Sequence, residues 1–304
     1  MKKLLLLFLL IFIVGCGQAG PRQGEKLTGA PDGLNIEFLQ LQPPAIIREG
    51  QDINVGLKVT NKGVCEISSQ ICVTDTLSSV WAGIDEQCQS LTLKGISLTG
   101  GRISRDSTEL RFNFEPYRNL DRELSTTIVA KSRYNCDVLA GPQLCVKNLV
   151  GENEKQCSSF ETVTGDNLKA TIAPITLSKV DKQLIPEGGG VNLITDITLK
   201  KMAQGEIAGE LDQSVVNERG ETISLRYVPV RIEVDYGGYT MQCSNVEDGV
   251  FLWKKDNAEE TINCELFLGS VSAFENNPLN VRIGYEYENF NSFNIKITDV
   301  NNQR

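Results

Sequence analysis

The sequence predicts an all-β protein built of two tandem antiparallel β-sandwich domains that are crosslinked by disulfide bonds. Three observations lead to this class. Apolar residues alternate with polar residues along many short stretches, which is typical of half-buried strands. One pattern of strands and turns occurs twice, at a domain-sized offset. Each half of the chain also carries an even number of cysteines once the first cysteine is set aside.

The alternating stretches define the strands of the first half. Ile53–Val59 and Leu110–Phe114 place apolar residues at every second position, and Leu124–Ala130 does the same except at Thr126. The first of them ends at Asn61-Lys62-Gly63, which has the composition of a turn. Because no stretch sustains the 3.6-residue period of an amphipathic helix, we expect strands throughout.

The second half repeats the opening of the first half. Residues 34–38, a Pro-rich break, Glu49-Gly50 and Ile53–Val59 form one unit, and residues 175–177, Glu187-Gly188 and 191–199 form its counterpart. The offset of about 140 residues matches a typical domain. We therefore predict sandwich domains at 34–165 and 170–300 that fold independently, with few contacts between them.

The last strands are predicted to form a hairpin. Leu279–Tyr287 and Phe293–Ile297 are the two arms, and Asn289–Ser292 supplies the turn between them. Tyr285 and Tyr287 share their parity with the apolar residues of the first arm, so we expect both tyrosines in the core.

The N-terminus has the layout of an export signal. Lys2 and Lys3 precede an uninterrupted apolar run, Leu4–Val14, which is too short to span a bilayer as a helix. The run ends in Ile-Val-Gly-Cys16, which resembles a lipobox. That resemblance implies a signal peptide at 1–15 and a diacylated Cys16 as the mature N-terminus. The alternative is a plain signal peptide followed by an incidental cysteine.

Residues 16–33 are predicted to be a flexible tether behind the lipidated cysteine. The segment is rich in Gly, Gln and Pro and contains almost nothing to bury. A chain of this kind reaches about 20–25 Å on average. Two acyl chains suffice for stable anchoring, so we expect an extracytoplasmic protein held at the cell membrane or envelope.

Eight of the nine cysteines remain after Cys16 is assigned to the lipid. An exported chain with even counts in both halves is typical of disulfide bonding. The two halves allow fifteen connectivities, in which the two cysteines of the second half form a pair. We predict structural, unreactive disulfides at Cys65, Cys72, Cys88, Cys136, Cys145, Cys157, Cys243 and Cys264.

The opening of the first half resembles a domain family related to cell adhesion (CARDB-type), whose members are immunoglobulin-like sandwiches of exported proteins. The resemblance rests on the strand, Pro break, Glu49-Gly50 turn and the stretch INVGLKVTNKG, with Asn61 and Gly63 in its turn. The chain is also similar to uncharacterised archaeal or bacterial surface lipoproteins. If the local pairs Cys72–Cys88 and Cys145–Cys157 form, Cys65–Cys136 remains, and it resembles the inter-sheet bond of immunoglobulin-like domains. The families imply no catalytic residues.

Composition excludes several functions. The formal charge is -9, and removing the signal segment with Lys2 and Lys3 makes it -11, so nucleic acid is not an expected partner. The chain has no histidine, which removes His-based catalysis and His-ligated metals. Without Cys-x-x-Cys spacing or histidine, we expect neither a zinc site nor any other metal site, and no motif indicates a cofactor.

Four groups of residues are candidate sites. Glu187–Gly190 opens a strand, which favours a turn over a phosphate loop. Acidic loops around residues 245–248 and 256–260 lack a calcium-binding spacing. Aromatic residues occur together in the second half, at Tyr236, Tyr239, Trp253, Tyr285 and Tyr287. Trp81, between Cys72 and Cys88, is the predicted partner contact, with core packing as the alternative.

These observations favour a non-catalytic, membrane-anchored surface lipoprotein that acts in adhesion, scaffolding or envelope interaction. Its expected partner is a protein or a surface polymer. One alternative is an accessory binding subunit of an exported complex, which would use a sheet edge or a loop end. The other is a carboxylate-based carbohydrate hydrolase, because an acidic chain offers many candidate carboxylate pairs.

Overall fold

The protein is all-β, as its sequence predicts. The structure, a computed structural model, describes residues 30–77, 83–99, 102–148, 157–216, 222–269, 271 and 274–299. Within these ranges the chain forms strands and one short 3-10 helix, and the strands pair antiparallel except at one edge. No described residue belongs to a helix long and apolar enough to cross a membrane.

The described ranges form twenty-two strands. The first eight are β1 (Leu34–Phe38), β2 (Ile46–Arg48), β3 (Ile53–Asn61), β4 (Ile67–Asp75), β5 (Gln87–Leu93), β6 (Ser97–Thr99), β7 (Arg102–Ser104) and β8 (Ser107–Phe114). They are followed by β9 (Leu124–Ala140), β10 (Gln143–Lys147), β11 (Phe160–Thr164), the 3-10 helix (Gly165–Leu168), β12 (Ile175–Glu187), β13 (Gly190–Lys201), β14 (Glu206–Ile207) and β15 (Leu211–Val216). The last are β16 (Thr222–Tyr236), β17 (Tyr239–Thr240), β18 (Gln242–Cys243), β19 (Val246–Glu247), β20 (Val250–Lys254), β21 (Glu259–Leu268) and β22 (Phe274–Thr298).

A two-stranded ladder runs through the whole molecule, and we call it the spine. It consists of β9 and β10 on one side and β22 on the other. The pairing starts at Leu124 opposite Ile297 and ends at Lys147 opposite Phe274, and the register is the same before and after Gly141-Pro142. At roughly 3.3 Å per residue, such a ladder is on the order of 75–80 Å long. Every other element is arranged along it.

Lobe 1 is formed by β1–β8 together with the near half of the spine, Leu124–Tyr134 and Asn289–Thr298. One sheet has the order β1-β3-β8, and the other side is the portion β22-β9-β4-β5 of the long sheet. The strand β2 crosses over and pairs parallel with the end of β22. In immunoglobulin nomenclature these are strands A-B-E on one sheet and G-F-C-C′ on the other.

Lobe 2 is formed by β10–β21 and the far half of the spine. One sheet of lobe 2 has the order β11-β12-β13-β21-β18. The other sheet of lobe 2 is the portion β19-β20-β16-β22 of the long sheet. Because strand F of lobe 1 continues into β10 and strand G arrives from Phe274, lobe 2 occupies the position of the F–G connection. The second lobe is thus inserted between the last two strands of the first.

The tandem arrangement predicted from the sequence is not confirmed. The final strand of lobe 1 comes from the C-terminus, so its sheets do not separate at residues 165–170. One continuous cluster of buried apolar residues includes Leu34 and Ile297 from lobe 1 and Leu199 and Val281 from lobe 2. Contacts across the predicted boundary are therefore extensive rather than few.

The predicted terminal hairpin is also not found, because β22 passes through Asn289–Ser292 without a turn. Residues of odd number along β22 face the interior on both sides of this stretch, and Asn289 and Asn291 continue that alternation. Their side-chain amides donate to the main-chain oxygens of Leu34 and Ile36 in β1. Polar residues at this point thus bridge two sheets and do not reverse the chain.

Four disulfides join all eight predicted cysteines: Cys65–Cys136, Cys72–Cys88, Cys145–Cys157 and Cys243–Cys264. This is the connectivity expected for the case in which both local pairs, Cys72–Cys88 and Cys145–Cys157, form. Cys72 lies directly opposite Cys88 on neighbouring strands, and Cys243 lies opposite Cys264 in the same way. The Cys65–Cys136 bond connects the start of β4 to the spine at the boundary between the lobes.

Asn61 holds the turn that the sequence indicated after β3. The residue is fully buried, and its side-chain nitrogen donates to the main-chain oxygens of Cys65 at 2.8 Å, Lys94 at 3.1 Å and Leu93 at 3.3 Å. Its side-chain oxygen accepts from the N–H of Gly63 at 2.9 Å. One amide thus satisfies buried main-chain groups from two loops, which a turn-forming residue on the surface would not do.

Candidate functional site

Two of the predicted site residues, Cys16 and Trp81, lie outside the described residues. The lipid-anchor assignment and the partner contact at Trp81 therefore stay predictions. The other candidates lie on described strands and turns.

The aromatic residues of the second half separate into core and surface. Trp253, Tyr236, Tyr285 and Tyr287 are buried, and Tyr239 is exposed. The prediction that Tyr285 and Tyr287 lie in the core is confirmed. The Trp253 indole donates to the Asn257 main-chain oxygen at 3.0 Å, so this ring organises the acidic loop from inside.

The glycine-rich segment is a turn, as expected. Glu187 pairs with Gly190 at the end of the β12–β13 hairpin, and Gly188 and Gly189 have φ angles of 51° and 89°. Positive φ at both central residues is the requirement of the commonest two-residue hairpin loop.

One group among the described residues has potential metal ligands within reach of one another: Cys72, Glu86 and Cys88. Its two sulfur atoms form a disulfide, so they are not available as thiolates. The two cysteines of this group therefore serve as a crosslink.

A pocket of about 290 Å³ lies where lobe 1, lobe 2 and the spine meet, and we call it the waist pocket. Lobe 1 contributes Asp32 and Asn35, and lobe 2 contributes Gln204 and Gly205. The spine contributes Tyr287, Asn289, Phe290 and Asn291. The pocket exists because the β1-β3-β8 sheet of lobe 1 and the β11-β12-β13-β21-β18 sheet of lobe 2 are separate, whereas the long sheet opposite them is continuous. The inner face of β22 is therefore uncovered between the two separate sheets.

Three buried tyrosines lie along the spine beside this pocket. The ring centroid of Tyr287 is 6.0 Å from that of Tyr134 and 6.2 Å from that of Tyr285. The Tyr134 hydroxyl donates to the Asp32 main-chain oxygen at 3.3 Å, and the Tyr285 hydroxyl accepts from the Ile175 N–H at 3.3 Å. The Tyr287 hydroxyl is buried and makes no hydrogen bond with any described residue.

Burial raises the pKa of all three phenols well above the ordinary value of 10.0. For Tyr287 the neighbouring Tyr134 and the Asp32 carboxylate act in the same direction. The Gly205 main-chain N–H, which lies near the hydroxyl without completing a hydrogen bond to it, acts against them. The phenols therefore stay protonated at physiological pH, and Tyr287 presents an O–H donor.

A second depression, of about 550 Å³, lies on the outer face of lobe 2 beside Lys169, Glu233 and Arg282. The guanidinium of Arg282 is 3.5 Å from the carboxylate of Glu233, and both side chains are largely exposed. Charges that already pair across a solvated face give little binding energy. The waist pocket is the better candidate site.

Reasoning from the sequence missed this pocket because its residues come from three distant stretches of chain. Asn289 and Asn291 were the available signal. Two asparagines at the inner-facing positions of a strand interrupt an otherwise apolar row, and this pattern can mark a polar site as well as a turn.

Comparison with known proteins returned neither a matching family model nor a significant match among curated proteins. The resemblance of the opening strands to cell-adhesion domains therefore stays a prediction.

Proposed function

We propose that this chain is a non-catalytic surface lipoprotein, held outside the membrane by a lipid on Cys16, which binds a partner in the cell envelope. One observation carries the proposal. Eight of the nine cysteines pair in four disulfides, and the ninth is the cysteine that ends the apolar N-terminal run. Disulfides persist in oxidising compartments, and the remaining cysteine has the position that lipidation requires.

The position where the chain enters the fold supports a tethered arrangement. The N–H of Ala30 donates to the main-chain oxygen of Lys62 at 2.9 Å, and Asp32 lines the waist pocket. The tether that the sequence predicts behind Cys16 would have an average reach of about 20–25 Å. The anchor would therefore hold the middle of the molecule near the membrane, with both lobes extending sideways along the spine.

A protein-binding role as an accessory subunit is favoured by one surface. Phe160 is 67% exposed and Phe267 is 52% exposed, and strand register places both on the outer face of the β11-β12-β13-β21-β18 sheet. Ile185, 37% exposed, lies on the same face. Exposed aromatic residues of this kind are common at protein interfaces.

The waist pocket does not favour the hydrolase alternative. A glycosidase needs two carboxyl groups across the scissile bond, whereas the described lining of the pocket contains one, that of Asp32. Hydrolysis therefore stays a prediction that the waist pocket does not support.

Replacing the anchor residue tests the proposal. We expect Cys16→Ser to lose incorporation of a palmitate analogue and to leave the membrane fraction or remain unprocessed, because serine offers no thiol for the lipid. Gly17→Ser is the matched control, since it adds the same side chain one residue later and should behave as the original chain. Labelling of the Cys16→Ser variant at the level of the original protein would contradict the anchor.

A further inference from the structure

We propose that the waist pocket binds a neutral, hydroxyl-rich ligand, namely one sugar residue of a surface glycan. The inference rests on the proposed envelope-binding function and deepens it by naming the chemistry of the partner. Its starting point is the one hydroxyl of the tyrosine group that has no partner.

The Tyr287 side chain is buried beside the pocket. The residue is 0% exposed, and its hydroxyl forms no hydrogen bond within the described part of the chain. A Cβ atom added to Gly205 would lie 2.9 Å from the Tyr287 Cζ, so the hydroxyl end of the ring lies beside a residue that lines the pocket. Leaving a buried donor unsatisfied is costly, and native proteins rarely do so without a ligand or a water.

The remaining polar groups of the pocket include both acceptors and donors. Asn289 and Asn291 each donate one N–H of the side-chain amide to β1, which leaves the amide oxygen and one further N–H on each. The Asn35 nitrogen donates one N–H to Glu37 at 2.7 Å, which leaves its oxygen and one N–H as well. Asp32 adds a carboxylate, and Gln204 can both donate and accept. A ligand that fits such a set must bring several groups that both donate and accept, as hydroxyl groups do.

The charge of the pocket selects among such ligands. Its described lining contains Asp32 and no lysine or arginine, so a phosphate, sulfate or carboxylate would be repelled. Hydroxyl groups fit because each can donate to an oxygen of Asp32, Asn35 or Asn289 and can also accept from Tyr287. Ala203 and the exposed Phe290 supply apolar surface for the C–H groups of a sugar ring.

The size of the pocket limits the ligand. A volume of about 290 Å³ is at the lower end of small-molecule sites. It suits one sugar ring with the rest of the polymer outside, and it is too small for a folded partner. A strand inserted between β1 and β22 is disfavoured because the Asn289 and Asn291 side chains already bridge those strands.

Binding by the full mature protein, purified in detergent, tests the proposal. The probes are arrays of neutral glycans and of sulfated or sialylated glycans, followed by titration calorimetry with the best neutral oligosaccharide. We expect binding to neutral glycans and none that depends on acidic groups. Tyr287→Phe and Asp32→Asn should each weaken that binding at least about tenfold.

Thermal unfolding without ligand separates a binding role from a structural one. Because the Tyr287 hydroxyl has no partner, we expect Tyr287→Phe to leave the unfolding temperature unchanged or slightly higher. Tyr285→Phe is the matched control: it removes an acceptor for the Ile175 N–H and should lower the unfolding temperature by about 2–4 °C. The control should keep its glycan binding.

Three outcomes would overturn the proposal. The first is no binding to any neutral glycan of the arrays, together with no binding of neutral monosaccharides at concentrations up to about 10 mM. The second is glycan binding that Tyr287→Phe and Asp32→Asn leave unchanged. The third is a loss of stability in Tyr287→Phe equal to that of the control without loss of binding, which would assign the hydroxyl to a buried water. None of these outcomes affects the lipid anchor, which the Cys16→Ser experiment tests separately.

Discussion

Residues 34–165 expressed alone in an oxidising compartment are expected to remain unfolded, although the sequence suggests an independent domain. This fragment lacks Asn289–Ile297, the stretch that pairs with Leu124–Ser132 and completes the long sheet of lobe 1. Ile295 and Ile297 of that strand are buried against the core. Removing the strand opens the sandwich on one side and leaves the hydrogen-bonding edge of β9 unpaired.

The magnitude of the loss decides the outcome. Each buried isoleucine contributes about 1.5–3 kcal/mol, and the partly buried Phe293, whose ring packs 5.5 Å from that of Phe38, contributes a similar amount. Together with the ladder hydrogen bonds, the loss approaches the whole stability of a typical domain, about 5–15 kcal/mol. Three disulfides constrain the unfolded chain but cannot replace a missing strand.

Circular dichroism and denaturant titration check this prediction. The full mature chain is the control and should unfold cooperatively, whereas the fragment should give no transition. A fragment that unfolds cooperatively with native-like strand content would show that lobe 1 does not need its C-terminal strand.

Asn61→Ala is expected to lower the free energy of unfolding by about 2–4 kcal/mol. The substitution leaves the main-chain oxygens of Cys65, Leu93 and Lys94 and the N–H of Gly63 without their partner. Unsatisfied buried groups cost about 1–3 kcal/mol each, although part of that cost is recovered when water enters. The effect exceeds that of an ordinary surface substitution, which stays within about 0.5 kcal/mol.

The matched control for this variant is Asn54→Ala on the same strand. Asn54 is exposed, so its replacement should leave the denaturant midpoint almost unchanged. Equal midpoints for the two alanine variants would contradict the assigned role of Asn61. Because the turn after β3 precedes Cys65, we also expect slower formation of the Cys65–Cys136 bond during refolding of Asn61→Ala.

Local features of the fold could be predicted from the sequence because each depends on neighbouring residues. Alternation identified β3, β8 and β9, and the glycines at 188–190 indicated a hairpin turn with the required positive φ angles. The cysteine count in each half restricted the disulfides, and the structure selected one of the permitted sets. These signals have a period or a spacing that can be read along the chain.

Strand pairing at long range could not be predicted in the same way. Nothing near Phe293 indicates that this strand pairs with Ile128, which is 165 positions earlier, because β-pairing is chosen by the complete core and not by local composition. The repeated strand–turn–strand pattern suggested duplication, and an insertion produces the same pattern when each lobe opens with similar strands. The waist pocket results from the insertion, so it could not be predicted from the sequence either.

Lobe 2 is inserted between the last two strands of lobe 1, and one shortened chain tests this insertion most directly. Residues 30–136 are joined to residues 285–304 through an Asn-Gly loop, which closes the spine at the directly opposed pair Cys136 and Tyr285. The shortened chain keeps Cys65–Cys136 and Cys72–Cys88. We expect a monomer with dispersed amide resonances and one cooperative unfolding transition. A disordered spectrum from this chain, alongside cooperative folding of residues 34–165, would contradict the insertion and restore the tandem arrangement.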